Sequence, residues 1–176
     1  MNILAINPWV YDFTYYDLYA KPYGLLMLCT ALAKLGHQVQ LIDLPYSEHY
    51  EAAFSGVRKK DGTGFFYRSE IETPDAYKKF CKPYYRYGLS EQYFRELLKK
   101  QEKPDLILVT SVMTYWYLGV RDTIKILKEN FPDIPVYLGG IYATLLPEHP
   151  KSTTNADFVV TGNFANAIKT ILNKDI

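Results

Sequence analysis

Residues 110–120, TSVMTYWYLGV, bring three aliphatic hydroxyls, a thioether and three consecutive aromatic rings to the end of an apolar run, DLILVT at 105–110. Such a run is expected of a central strand buried on both faces. Residues just past a strand end are well placed to meet a ligand. Gly139 and Gly140 follow a second apolar stretch at 136–138, and Gly162 follows a third at 157–160. Glycine lets a ligand approach the backbone closely, and it also makes tight strand–helix turns. Both readings stand at this level. Asn7 and Pro8 close the first apolar stretch, NILAI at 2–6. Together these places would hold a broad, flat, half-polar ligand rather than perform acid–base work.

Other chemistries find little support. Ser111 would need a neighbouring base to act as a nucleophile, and the three histidines are His37, His49 and His149. His37 follows Gly36 and reads as a helix-end residue. His49 reads as a solvated loop residue, and His149 as a weak candidate near the ligand end. No G-x-G-x-x-G follows the first strand and no G-x-x-x-x-G-K-[ST] occurs, so neither phosphate cradle is present. An acidic phospho-acceptor cluster would need carboxylates where Asn7 and Thr110 stand. Cys29 lies on an apolar helical face and reads as packing; Cys81 receives no chemistry.

The chain has 176 residues, 48% of them hydrophobic, with 20 basic and 19 acidic side chains. That length suits one domain with its own core. The near-balanced charge gives no footprint for nucleic acid or an anionic membrane. No apolar run approaches the roughly 20 residues needed to span a bilayer. The N-terminus lacks a basic leader, so a cytoplasmic location is expected. Tyrosine is abundant, with 17 residues. They cluster around Tyr11, Tyr15, Tyr16, Tyr19 and Tyr23, around Tyr77, Tyr84, Tyr85, Tyr87 and Tyr93, and beside Trp116. They suit either the wall of a wide pocket or a cover over a sheet edge.

The elements that must position these residues alternate. Strands are expected at 2–6, 39–43, 105–110, 136–138 and 157–160. Helices are expected after Pro22, after Ser90, over 120–131 and over 165–172. Gly36 should end the first helix. Only a short turn is expected over 142–149, because Pro147 and Pro150 break it. Residues 44–88 depart from the rhythm and read as an insert, with one short helix, packed over one end of the sheet. Five strands alternating with helices imply a parallel sheet covered on both faces, in the strand order 2-1-3-4-5.

The pieces INPW, KPYGLLMLCTALAKLGHQVQLID, RYGLS, KPDLILVTSVMTYWYLGV, GGIYATLLPEH and ADFVVTG, in this order, resemble the N-terminal cobalamin-binding domain of radical S-adenosylmethionine (radical SAM) proteins. The resemblance implies an α/β, Rossmann-like (flavodoxin-like) domain over residues 1–176. It would hold cobalamin flat over the carboxyl edge of the sheet, with the nucleotide tail running into the domain. By position, Asn7 and Pro8 belong to the site. Ser111, Met113, Thr114, Tyr115 and Trp116 would line the corrin side. Gly139, Gly140, Ile141, Tyr142 and Ala143 would flank the tail, with Gly162 at the far side. Related mutase-type domains carry D-x-H-x-x-G after the first strand, and here NPWVYDF stands there. The resemblance therefore implies base-off binding with no protein histidine on cobalt. Asn163 occupies the place of an acidic residue after the fifth strand. The partner implied is a downstream radical SAM domain with an iron–sulfur cluster and S-adenosylmethionine. Its C-x-x-x-C-x-x-C motif does not occur in these residues, and the chain reads as an excised or truncated domain. Two other readings remain: a domain binding a nucleotide or sugar in a tyrosine-lined cleft, and a degenerate interaction domain.

Overall fold

The computed structural model describes residues 1–17, 21–46, 59–61 and 63–172. Five parallel strands form the central sheet: β1 (Asn2–Asn7), β4 (Gln38–Asp43), β8 (Leu106–Val109), β9 (Val136–Leu138) and β10 (Phe158–Val159). Their order is β4-β1-β8-β9-β10, the expected one. The reversal of strand order falls between β1 and β8, which pair in parallel from Ile3 opposite Leu106 to Ile6 opposite Val109.

Side-chain alternation along β1 and β8 divides the core between the two faces. Ile3, Ala5, Leu106 and Leu108 pack against Leu25 and Leu32 of α1 (Tyr23–Lys34) and Ile171 of α6 (Phe164–Leu172). Leu4, Ile6, Ile107 and Val109 pack on the other face, against α2 (Glu91–Lys99) and α3 (Tyr117–Asn130). Both faces are buried, which is why β8 shows no polar alternation.

Local signals fix the helix ends. Pro22 precedes α1, and Gly36 (φ +86°) ends it. There the Gly36 N–H donates to the Ala33 carbonyl and the His37 N–H to the Leu32 carbonyl, a Schellman closure. The Ser90 side chain accepts from the Tyr93 N–H at the start of α2. Past β9 the chain makes α4 (Ile141–Leu145) and then α5 (Glu148–Thr153), more helix than the single turn expected. Pro150 is accommodated because it lies in the first turn of α5, where a missing N–H leaves no bond unmade.

The largest departure from expectation concerns residues 44–88. Beyond a 3₁₀ helix at Asp75–Phe80, the described part is built from strands. β6 (Arg68–Ile71) and β7 (Tyr84–Tyr87) join β2 (Val10–Asp12) in an antiparallel sheet of order β2-β7-β6. β3 (Tyr16–Asp17) pairs with β5 (Gly64–Phe65). The described parts of the loop after β1 and of the insert thus pair with each other in two small sheets.

Tyrosine supplies much of their interior. Tyr84 and Tyr87 are fully buried, the Tyr84 hydroxyl donates to the Tyr11 carbonyl (2.8 Å), and Tyr15 stacks on Phe66 at 4.6 Å. These rings pack inside the hydrophobic clusters and do not line the cleft at the sheet's carboxyl edge. Tyr19 and His49 lie outside the described residues.

Candidate functional site

The carboxyl edge of the sheet carries two adjoining features. The first is an apolar cleft of about 200 Å³ between α1 and α6, over the ends of β8, β9 and β10. Gly24, Leu25 and Leu28 of α1 form one wall, and Phe164, Ala167 and Ile171 of α6 the other. Thr110, Gly139, Gly140 and Gly162 form the floor and mouth. Sequence reasoning anticipated the floor and missed the helical walls. A signal was available: α1 is apolar through YGLLML, a wider stripe than one core contact needs, and Met27 there stays exposed.

The second feature is the loop between β8 and α3. Ser111 is buried, and its Oγ donates to the Gly139 carbonyl at 3.0 Å. Its own carbonyl accepts from the Ile141 N–H at 2.9 Å. Thr114 opens a 3₁₀ turn, Thr114–Trp116. Met113 and Tyr115 face outward, 41% and 49% exposed, and Ile141 beside them is 54% exposed. Trp116 turns the other way, into the insert.

The remaining expected residues are placed differently from one another. Asn7 is half-buried and spends its amide on Asp43 Oδ1 (2.7 Å), and Pro8 is buried. Tyr142 and Ala143 are fully buried in the core beside α3. Gly140 is glycine for two reasons: its φ is +99°, and a Cβ there would stand 2.7 Å from the Ser111 nitrogen. Its bare backbone is therefore used by the neighbouring loop. A Cβ at Gly139 would stand 3.8 Å from the Val160 carbonyl, an ordinary contact, so this glycine lines the cleft without being sterically required. Asn163 caps α6, its Oδ1 accepting from the Asn166 N–H at 3.0 Å.

The described histidines take separate positions. His37 Nδ1 lies 3.3 Å from the N-terminal amine, at the amino end of the sheet and away from the cleft. His149 Nδ1 lies 2.6 Å from the buried Tyr142 hydroxyl, and its ring meets Tyr117 edge-on. Among the described residues, no group of three or more His, Cys, Asp or Glu could hold a metal ion, and no helix is long and apolar enough to cross a membrane.

Asp43, at the carboxyl end of β4, has an electrostatic signature. Burial pushes its carboxyl above the usual range, and Asp17 adds to the push. The Asn7 amide, the Lys21 ammonium and the Tyr46 N–H oppose it. Burial, with the Asp43 and Asp17 carboxylates, pushes the Tyr15 phenol up to about 12. A raised acid binds its proton more tightly in the folded state than in the unfolded one. Its stabilising contribution is thus fully present below the unfolded value of about 4 and is lost as pH rises through the folded value. Asp43→Asn keeps an acceptor for Asn7 and removes the half-buried charge. We expect it to flatten that part of the pH–stability curve and raise stability at neutral pH, read by urea denaturation across pH 3 to 8. An unchanged curve would show that Asp43 titrates as it does in the unfolded chain.

A doubly wound parallel sheet with an apolar cleft at its carboxyl edge is a Rossmann-like domain, and sheets of this kind take ligands at that edge. The family comparison narrows the class: residues 88–172 match the B12 binding domain. The match runs from the end of the insert through α6 and includes the β8–α3 loop, Gly139, Gly140 and Gly162. It supports a cobalamin-binding domain. No curated protein matches the chain.

Proposed function

We propose that this chain is the cobalamin-binding module of a radical SAM protein. In this reading the corrin lies over Met113, Tyr115 and Ile141, and the nucleotide tail enters the cleft between α1 and α6. The observation that carries it is that cleft, which lies largely within the segment matching the B12 binding domain. Its volume also fits: a dry cavity of about 150 Å³ admits benzene, so about 200 Å³ suits a fused two-ring base. The apolar walls would exclude water from the base. Thr110 would meet its polar edge, and Gly139, with no side chain, would let the base approach the cleft floor closely.

Base-off binding without a protein imidazole agrees with the positions of the described histidines. His37 is at the wrong end of the sheet, and the Nδ1 of His149 faces Tyr142. When bound, cobalamin supplies a cobalt centre able to carry a methyl group or take part in radical chemistry. The chain's own residues bind and orient it; the bond-making steps belong to a radical SAM domain with its iron–sulfur cluster and S-adenosylmethionine.

The test is retention. Purified protein mixed with hydroxocobalamin or methylcobalamin and desalted should keep about one corrinoid per chain, and its absorbance should show the base-off form. Loss of all corrinoid on desalting, at concentrations where the protein is folded, would remove this reading. Thermal stabilisation by adenine nucleotides and not by corrinoids would replace it with nucleotide binding.

A further inference from the structure

The geometry points to Asp12 as the positioning residue of the proposed corrin platform, holding Trp116 and through it the loop that presents Met113 and Tyr115. The inference rests on the cobalamin reading above. It concerns how the insert serves that site.

The platform loop is fixed at both ends. At its start, Ser111 is locked to Gly139 and Ile141 by the hydrogen bonds already described. At its end, the Trp116 indole N–H donates to Asp12 Oδ2 at 2.8 Å, across 104 positions of sequence. Asp12 Oδ1 accepts from the Phe13 N–H at 2.7 Å. Each carboxylate oxygen thus receives one N–H, and the group cannot rotate without losing both bonds.

The backbone of Asp12 is in turn held by the insert, where it stands opposite Tyr85 in the β2–β7 pairing. The Trp116 ring meets Tyr15 edge-on at 5.1 Å, and Tyr15 is itself stacked on Phe66 of the insert. Between the two fixed ends, the Met113 carbonyl accepts from the Trp116 N–H at 3.2 Å and the Tyr115 ring meets Trp116 edge-on at 5.7 Å, while both side chains stay exposed. A loop held in its bound shape beforehand loses less freedom when a ligand lands on it. The insert, through Asp12, therefore lowers the cost of seating a flat ligand that the insert itself need not touch.

Asparagine is a poor substitute at position 12. Its one oxygen can serve either the Phe13 N–H or the Trp116 N–H, and its NH₂ then faces the other donor.

The experiment is a double-mutant cycle on the full chain, with hydroxocobalamin affinity as the primary readout and thermal midpoint as the control. Asp12→Ala should weaken binding roughly tenfold, the order expected for one hydrogen bond to a charged group. Asp12→Asn should weaken it several-fold at unchanged side-chain size. Trp116→Phe should cost about as much as Asp12→Ala, and the double variant little more than either single one. A purely structural role would move the thermal midpoint and leave affinities of the folded variants unchanged.

Wild-type affinity in both Asp12 variants, or losses that add in the double variant, would overturn the positioning role and leave cobalamin binding standing. Failure of the unmodified chain to hold hydroxocobalamin would overturn both.

Discussion

Gly119→Ala is expected to destabilise the domain by about 3 kcal/mol, although the same change in an exposed helix would stabilise it by up to about 1 kcal/mol. Gly119 is in the first turn of α3, where the loop after β1 crosses the helix. A Cβ there would fall on the Trp9 carbonyl, within 2.9 Å of its carbon and 3.3 Å of the Tyr11 ring. The loop has little freedom to retreat. The buried Trp9 indole donates to the Leu89 carbonyl at 2.7 Å, and Tyr84 holds the Tyr11 carbonyl. Helix and loop would have to part, loosening the contacts of Trp9 with Phe94 (5.3 Å) and of the Tyr11 hydroxyl with Asp122 (3.1 Å). For a domain of this size the loss corresponds to a fall of roughly 6–12 °C in Tm. Calorimetry or urea denaturation would measure it. A variant as stable as the parent would mean that the loop does not pack on α3 in this way.

Gly24→Leu should have the opposite profile, with stability kept and binding lost. Gly24 lines the cleft from the first turn of α1, and a Cβ built there meets nothing within 4 Å. Leucine suits a helix better than glycine by a few tenths to about 1 kcal/mol, so the fold should hold or gain slightly. Its branched side chain would occupy part of a cleft of about 200 Å³, the space proposed for the nucleotide tail. Corrinoid affinity is expected to fall about a hundredfold, the order of a few lost apolar groups plus steric exclusion. Gly24→Ala, with one added methyl, should fall between. Equilibrium titration with hydroxocobalamin, beside a thermal melt of each variant, reads both quantities. Parent-like affinity in a folded Gly24→Leu variant would place the tail outside the cleft and leave only the platform to bind the corrin.

These two glycines show why some of the molecule was legible in sequence and some was not. Both sit in first turns of helices, and local sequence does not distinguish them. Gly24 faces open space and Gly119 faces a carbonyl brought from over a hundred positions away. Gly140 is a mixed case. Its place after an apolar strand marked it as part of the site, yet its bare backbone accommodates Ser111 rather than lying open to a ligand. The resemblance implies that Trp116 lines the corrin side, whereas its indole is bonded to Asp12, whose sequence context carries no such signal. The tyrosine clusters were visible as composition. Their destination was not, because the strands at 10–12, 68–71 and 84–87 pair across long separations without a connecting turn motif.

The sequence by itself determined the five-stranded parallel sheet and the ends of α1 and the start of α2. Those follow from apolar periodicity and from Gly36, Pro22 and Ser90, which act over a few residues. It also marked the carboxyl edge as the place where a ligand would sit. Tertiary structure alone decided that α1 and α6 form the walls of the cleft, that the strands at 68–71 and 84–87 pair with residues 10–12 in a second sheet, and that Trp116 points towards it. Those outcomes depend on contacts between segments far apart in the chain, where the deciding quantity is the space left between packed side chains rather than the preference of any one residue.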